Sequence, residues 1–232
     1  MKISSREEST IDYPGEFGQI LFCPGCSFRC GFCHNPQLFE ETRQIDTEFL
    51  LKDIKVKAAG GWYRAICLSG GEPTLQNDLA EFTKKLKEMK ILVKVDTNGS
   101  RPQVVQELLD NKSVDYVAMD IKTSFERYEE IAGVKVNLDD IKKSIELVKQ
   151  FPIYEFRTTV LPNLNKEDFE KMGKAISNNG ENKARMWTIQ QFVCEFAYTD
   201  EYKNMTPKSK EEIQEIAKIC EKYADEVRVI VD

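Results

Sequence analysis

The sequence predicts an α/β protein built on a parallel sheet. Three observations carry this: short apolar runs rich in branched and aromatic residues, amphipathic stretches between them, and short connections throughout. Alternating strands and helices joined this way imply right-handed crossovers, either in a doubly wound sheet or in one curled into a full or partial barrel. Periodicity alone does not choose between them.

The strand runs fall at residues 17–22, 65–68, 91–95, 116–119, 153–160, 186–193 and 227–231. Residues 46–59 form the first amphipathic stretch, with Asp46 as its capping residue, and 77–90 form the second, opened by Asn77. Further helices are predicted over 102–111, 138–150 and 166–178, and a last one over 207–223, with Thr206 as cap and Pro207 at the first helical position. No repeat, low-complexity tract or long linker divides the chain, and 232 residues suit a single domain over 1–232.

Composition narrows the function classes. The net charge of −6 is spread over interleaved lysines and acids, so there is no basic stripe of the kind a phosphate backbone selects, and no nucleic-acid partner is expected. Residues 1–10 are polar and charged, and no segment approaches the roughly 18 apolar residues of a membrane span, so neither export nor a membrane is expected. The seven cysteines make an odd count, and Cys67, Cys194 and Cys220 stand singly, as suits the reducing cytoplasm.

The other cysteines crowd the run Cys23-Pro24-Gly25-Cys26-Ser27-Phe28-Arg29-Cys30-Gly31-Phe32-Cys33, whose last three make a C-x3-C-x2-C triplet. Thiolates this close can wrap one metal centre, and three ligands on an iron–sulfur cube leave its fourth iron open to chemistry. A disulfide framework and a closed four-cysteine zinc knuckle are the alternatives, although the second pair of a zinc ribbon usually lies a dozen or more residues away. Cys23 could complete a closed set, or it could be the buried end of a strand, a common place for a free cysteine.

Three further motifs sit at strand ends. Ser69-Gly70-Gly71-Glu72-Pro73-Thr74 follows the second strand, Asp96-Thr97-Asn98-Gly99 the third, and Asp120-Ile121-Lys122 the fourth. Each by itself reads as a turn or a solvated loop. Together they lie where parallel α/β barrels collect their active sites.

With Phe32 just before its last cysteine, the triplet resembles the C-x3-C-x-aromatic-C signature of the radical S-adenosylmethionine (SAM) enzymes, and Gly70-Gly71-Glu72 resembles their GGE motif. Thr10-Ile11-Asp12-Tyr13-Pro14-Gly15, Cys33-His34-Asn35-Pro36, the GGEPTLQ run at 70–76, DTNG at 96–99, MDIK at 119–122 and FRTTV at 156–160 narrow this to the glycyl-radical-enzyme activases. Within these, the sequence is most similar to the activating proteins of anaerobic ribonucleoside-triphosphate reductase, with pyruvate formate-lyase activase as close kin. The likeness runs from about residue 9 to 190–192, and it implies a partial (β/α)6 TIM-like barrel of the radical SAM type, open on one side to admit a protein loop.

As the resemblance implies, Cys26, Cys30 and Cys33 ligate one [4Fe–4S] cluster, and Cys23 does not. The backbone around Phe32 and His34 lies near the adenine of SAM, and Gly70, Gly71 and Glu72 face its methionine amine. Asp120 and Lys122 contact SAM, and Asp96 and Thr97 hold a small cation beside its carboxylate. Arg157 pairs with Asp120 or reaches the substrate loop, and Gln191 matches a late SAM-contacting position. The implied reaction is reductive cleavage of SAM to methionine and a 5′-deoxyadenosyl radical, which takes a hydrogen from the Cα of a glycine in a partner enzyme. Reduced flavodoxin or ferredoxin is the implied electron donor, and His34 has no acid–base task. A radical SAM enzyme acting on a small molecule, of the deazapurine carboxylate synthase type, is a second reading. A non-enzymatic zinc or electron-transfer module is a third, and it leaves GGE, DTNG and MDIK without a role.

Overall fold

The computed structural model describes residues 1–41 and 43–231. Eight strands hydrogen-bond in chain order: β1 (Ser5–Ser9), β2 (Gly18–Cys23), β3 (Ala65–Gly70), β4 (Leu92–Thr97), β5 (Tyr116–Asp120), β6 (Ile153–Val160), β7 (Ala184–Gln191) and β8 (Ala224–Ile230). The sheet is not closed, since β1 and β8 stand at the two ends of that order. The helices are α1 (Thr47–Ala59), α2 (Leu79–Glu88), α3 (Pro102–Asn111), α4 (Tyr128–Ala132), α5 (Leu138–Val148), α6 (Lys166–Ile176), α7 (Asp200–Lys203) and α8 (Lys210–Cys220).

Two corrections to the sequence reading follow. The strand β1, Ser-Arg-Glu-Glu-Ser, was not expected, because it carries no apolar alternation. It forms by antiparallel backbone pairing with β2, Ser5 opposite Phe22 through Ser9 opposite Gly18, and its charges protect the edge of the sheet from further pairing. The last helix begins at Lys210 rather than at Pro207, because Ser209 and Glu212 form a reciprocal capping box that fixes the start. By contrast, Asp46 caps α1 as expected, its side chain accepting from the Phe49 N–H at 2.9 Å.

The chain falls into two units, residues 1–27, 35–118 and 150–153 in one, and residues 28–34, 119–149 and 154 onward in the other. In the first, β2, β3 and β4 are parallel, with Gly18 opposite Ala65 and Ala65 opposite Leu92. Its core sets Leu21, Ile66, Leu68, Val93 and Val95 of the strands among Leu50 and Ile54 of α1 and Leu79, Phe82 and Leu86 of α2, all buried. Each such side chain contributes roughly 1.5–3 kcal/mol by leaving water, before the entropy of ordering it is set against this. In the second unit β6, β7 and β8 are parallel. Trp187 of β7 is fully buried there; its indole ring lies 6.4 Å from that of Phe169 on α6, and its N–H donates to Thr158 Oγ1 at 3.0 Å.

Candidate functional site

In the first unit the ends of β2, β3 and β4 hold the start of the cysteine loop. Cys23, the last residue of β2, lies opposite Gly70, the last of β3. Gly70 has φ +103°, and a Cβ there would lie 2.7 Å from the Cys23 nitrogen; at Gly71 it would lie 1.9 Å from the Gly25 carbonyl oxygen. Only glycine permits this approach. Two backbone bonds result, Gly71 N–H to Cys23 O at 2.9 Å and Glu72 N–H to Gly25 O at 2.7 Å, while the Gly25 N–H donates to Leu38 O at 2.7 Å. The Gly-Gly pair therefore fixes the chain leading into Cys26.

Glu72 is buried, and its carboxylate points inward. Oε1 accepts from the Thr74 N–H (3.0 Å), Thr74 Oγ1 (2.5 Å) and Thr97 Oγ1 (2.8 Å), and Oε2 accepts from the Asn98 N–H (2.7 Å). Burial raises its pKa, and these donors pull it back part of the way. The carboxylate thus ties the GGE loop to the DTNG loop, and what the segment leaves for a ligand is its backbone. Beyond Thr97, the Asn98 side chain continues the chain of bonds: Nδ2 donates to Ser27 Oγ at 3.0 Å and to the Cys26 sulfur at 3.7 Å, while Oδ1 accepts from the Ser100 N–H at 2.9 Å. Asp96 is buried, 2.9 Å from Lys94 Nζ, and accepts from Ser69 Oγ at 3.0 Å.

The rest of the cysteine loop is held within the second unit. The Arg29 N–H donates to Ala132 O at 2.8 Å, and Gly133 (φ +69°) packs where a Cβ would lie 2.3 Å from the Arg29 carbonyl. The Cys33 N–H closes a turn on Cys30 O at 3.1 Å, and the Thr199 N–H donates to Gly31 O at 3.0 Å. A Cβ at Gly31 would strike the Tyr202 ring at 2.7 Å, and that ring lies 6.0 Å from Phe32.

Asp120 ends β5 and Lys122 follows it, with Lys122 Nζ 2.9 Å from Asp120 Oδ2 and Arg157 Nε 3.1 Å from Asp120 Oδ1. Lys122 also lies 5.5 Å over the Phe32 ring. Burial by itself would lower its pKa, but Asp120 and the Cys30 sulfur outweigh this and raise it, so its charge is fixed. His34 Nε2 is 3.1 Å from Val193 O; burial lowers its pKa, and that bond offsets part of the shift. Gln191, at the end of β7, donates from Nε2 to Lys208 O at 3.0 Å.

The donor set suits a thiolate-bound cluster. None of the seven cysteines is in a disulfide. Cys23 is fully buried at the end of β2, and burial raises its thiol pKa, which disfavours the thiolate. Cys26 and Cys33 are partly exposed, Cys30 has Lys122 acting on it, and Cys26 accepts the Asn98 amide.

The sequence reading gave no role to Asn98, Gly133 or Tyr202. Asn98 stood inside a motif already singled out, and Gly133 after Ala132 is a helix-ending signal. Tyr202 carried no local signal, since it lies far along the chain from the glycine it covers.

Comparison with known proteins identifies the family. Residues 20–176 match the radical SAM superfamily model. A Methanocaldococcus jannaschii protein, itself provisionally named a glycyl-radical enzyme activating enzyme, is 37% identical over 227 residues, covering 94% of this chain and 91% of its own. The pyruvate formate-lyase-activating enzyme of Clostridium pasteurianum is 31% identical over 181 residues, 72% of each chain. Among solved structures, Streptococcus suis SuiB bound to S-adenosylmethionine has the same fold at a TM-score of 0.63 and 18% identity, over 92% of this chain and 51% of that one. The α/β fold is accordingly the partial-barrel fold of that superfamily, and among the described residues no helix is long and apolar enough to cross a membrane. The chain belongs to the radical SAM superfamily of enzymes and is related within it to the activating enzymes of glycyl-radical enzymes.

Proposed function

We propose that this protein is a glycyl-radical-enzyme activase, with anaerobic ribonucleoside-triphosphate reductase as its partner and reduced flavodoxin or ferredoxin as its electron source. One observation carries the reading: the likeness to an activating-enzyme relative runs through almost the whole of both chains. When bound, a [4Fe–4S] cluster supplies the electron that cleaves SAM at its sulfonium. Cys26, Cys30 and Cys33 are assigned as its ligands.

The remaining roles belong to the strand ends. Gly70, Gly71 and the backbone of Glu72 offer peptide groups to the methionine amine. Lys122, kept charged, offers a point charge to the carboxylate. Arg157 and Lys122 together hold Asp120. Asp96 and Thr97 are assigned to the same end of SAM, Phe32 and His34 to the adenine side, and Gln191 to the rim. No residue needs to act as acid or base.

The test is anaerobic. Protein reconstituted with iron and sulfide, reduced and given SAM, should form 5′-deoxyadenosine and raise a glycyl-radical EPR signal on a glycyl-radical reductase encoded in the same genome. If no such protein acquires the signal while a small molecule stimulates 5′-deoxyadenosine formation, the activase reading gives way to the small-molecule one.

A further inference from the structure

The DTNG loop reaches a cysteine through a side chain that neither charge nor acid–base chemistry accounts for. Asn98 is buried, and its backbone N–H and side-chain amide are all used: the N–H on Glu72 Oε2, Oδ1 on the Ser100 N–H, and Nδ2 shared between Ser27 Oγ and the Cys26 sulfur. Two of these bonds, to Glu72 and to Ser100, fix the loop at either side of the amide, and Ser27 Oγ is itself 2.7 Å from Ser100 Oγ. The amide therefore cannot rotate away from the sulfur without leaving buried polar groups unpaired, at about 1–3 kcal/mol for each. A neutral donor held on a ligand sulfur withdraws charge from it. The reduced form of an iron–sulfur centre gains most from this, since it carries the added electron.

We propose that Asn98 is a positioning residue that holds the Cys26 sulfur with its Nδ2–H and thereby raises the potential at which the centre ligated by Cys26 accepts its electron. This rests on Cys26 being a cluster ligand. The electron comes from the reductant, no bond is made or broken, and the hydrogen bond shifts only the equilibrium between oxidised and reduced centre. Asn98→Asp keeps an oxygen for the Ser100 N–H but removes the donor and puts negative charge by the sulfur. Asn98→Ala removes the donor alone. Both should lower the potential, Asp more than Ala, with Ala shifting the equilibrium about tenfold, which is about 59 mV for a one-electron couple.

The experiment is a redox titration followed by EPR on anaerobically reconstituted wild type and both variants, with iron and sulfide counted first. Wild type and variants that load equally but differ in potential in this order support the proposal. Equal potentials with equal loading overturn it. A wild-type protein that takes up no four-iron cluster overturns the ligand reading first, and the proposal with it. Since a change beside a ligand can cost the cluster, wild type grown with 15N-amide asparagine gives a second readout. The reduced centre should then show a 15N hyperfine coupling in pulsed EPR, and its absence overturns the proposal.

Discussion

Two cysteines three positions apart have contrasting environments. The Cys23 thiol is packed at the end of β2 and fully buried, which raises its pKa, while Cys26 is partly exposed and carries an amide donor on its sulfur. Cys23→Ala should leave iron and sulfide content after reconstitution near the wild-type value. Cys30→Ala should reduce it severely, because a triplet deprived of one thiolate no longer holds three irons. Iron and sulfide analysis with visible spectra checks both, and equal losses would place Cys23 among the ligands. Glu72 shows the same principle at a carboxylate: its four donors belong to the chain itself, so its first effect is to hold two loops together.

The loops owe their shape to glycines whose need is steric. At Gly71 an added Cβ would meet the backbone oxygen of Gly25 at 1.9 Å, and a backbone atom inside a hydrogen-bonded loop cannot yield as a side chain can. Gly15 also has a left-handed φ, +83°, but nothing lies within 4 Å of its would-be Cβ. Gly71→Ala should therefore destabilise the fold by about 3 kcal/mol, the upper end of overpacking costs. Gly15→Ala should cost about 1–2 kcal/mol through its backbone conformation alone. Denaturant unfolding of both variants checks the contrast, and similar losses would show that the close approach of Gly71 to Gly25 is not what requires glycine there.

For the molecule as a whole, a group that binds the folded chain and not the unfolded one stabilises it by mass action, about 2.7 kcal/mol when present at a hundred times its dissociation constant. For a chain of 232 residues, each kcal/mol is worth about 2–4 °C of melting temperature. The reconstituted protein should melt at least about 5 °C above the metal-free protein under anaerobic conditions, and the difference should vanish in Cys30→Ala. Calorimetry or circular dichroism measures it, and identical melting curves would mean that the cysteine loop binds nothing the folded state depends on.

Strand-and-helix alternation, the cysteine triplet and the motifs at strand ends were legible because each is written in contiguous residues: a period, a spacing, a Gly-Gly. The order and approximate places of the parallel strands and of α1 to α3 follow from those periods, since apolar side chains must face one core. What the sequence alone did not contain were features that depend on partners distant along the chain. The strand β1 has no pattern of its own and exists because β2 offers it an edge. The inward aim of Glu72 depends on Thr97 and Asn98, the tilt of the loop at Gly31 on Thr199 and Tyr202, and the hydrogen bond on Cys26 on an asparagine at the end of another strand. Residue spacing could point to candidate ligands, because one loop would supply them all. Only the tertiary structure could show what surrounds them, because hydrogen bonds and burial join residues that the sequence keeps apart.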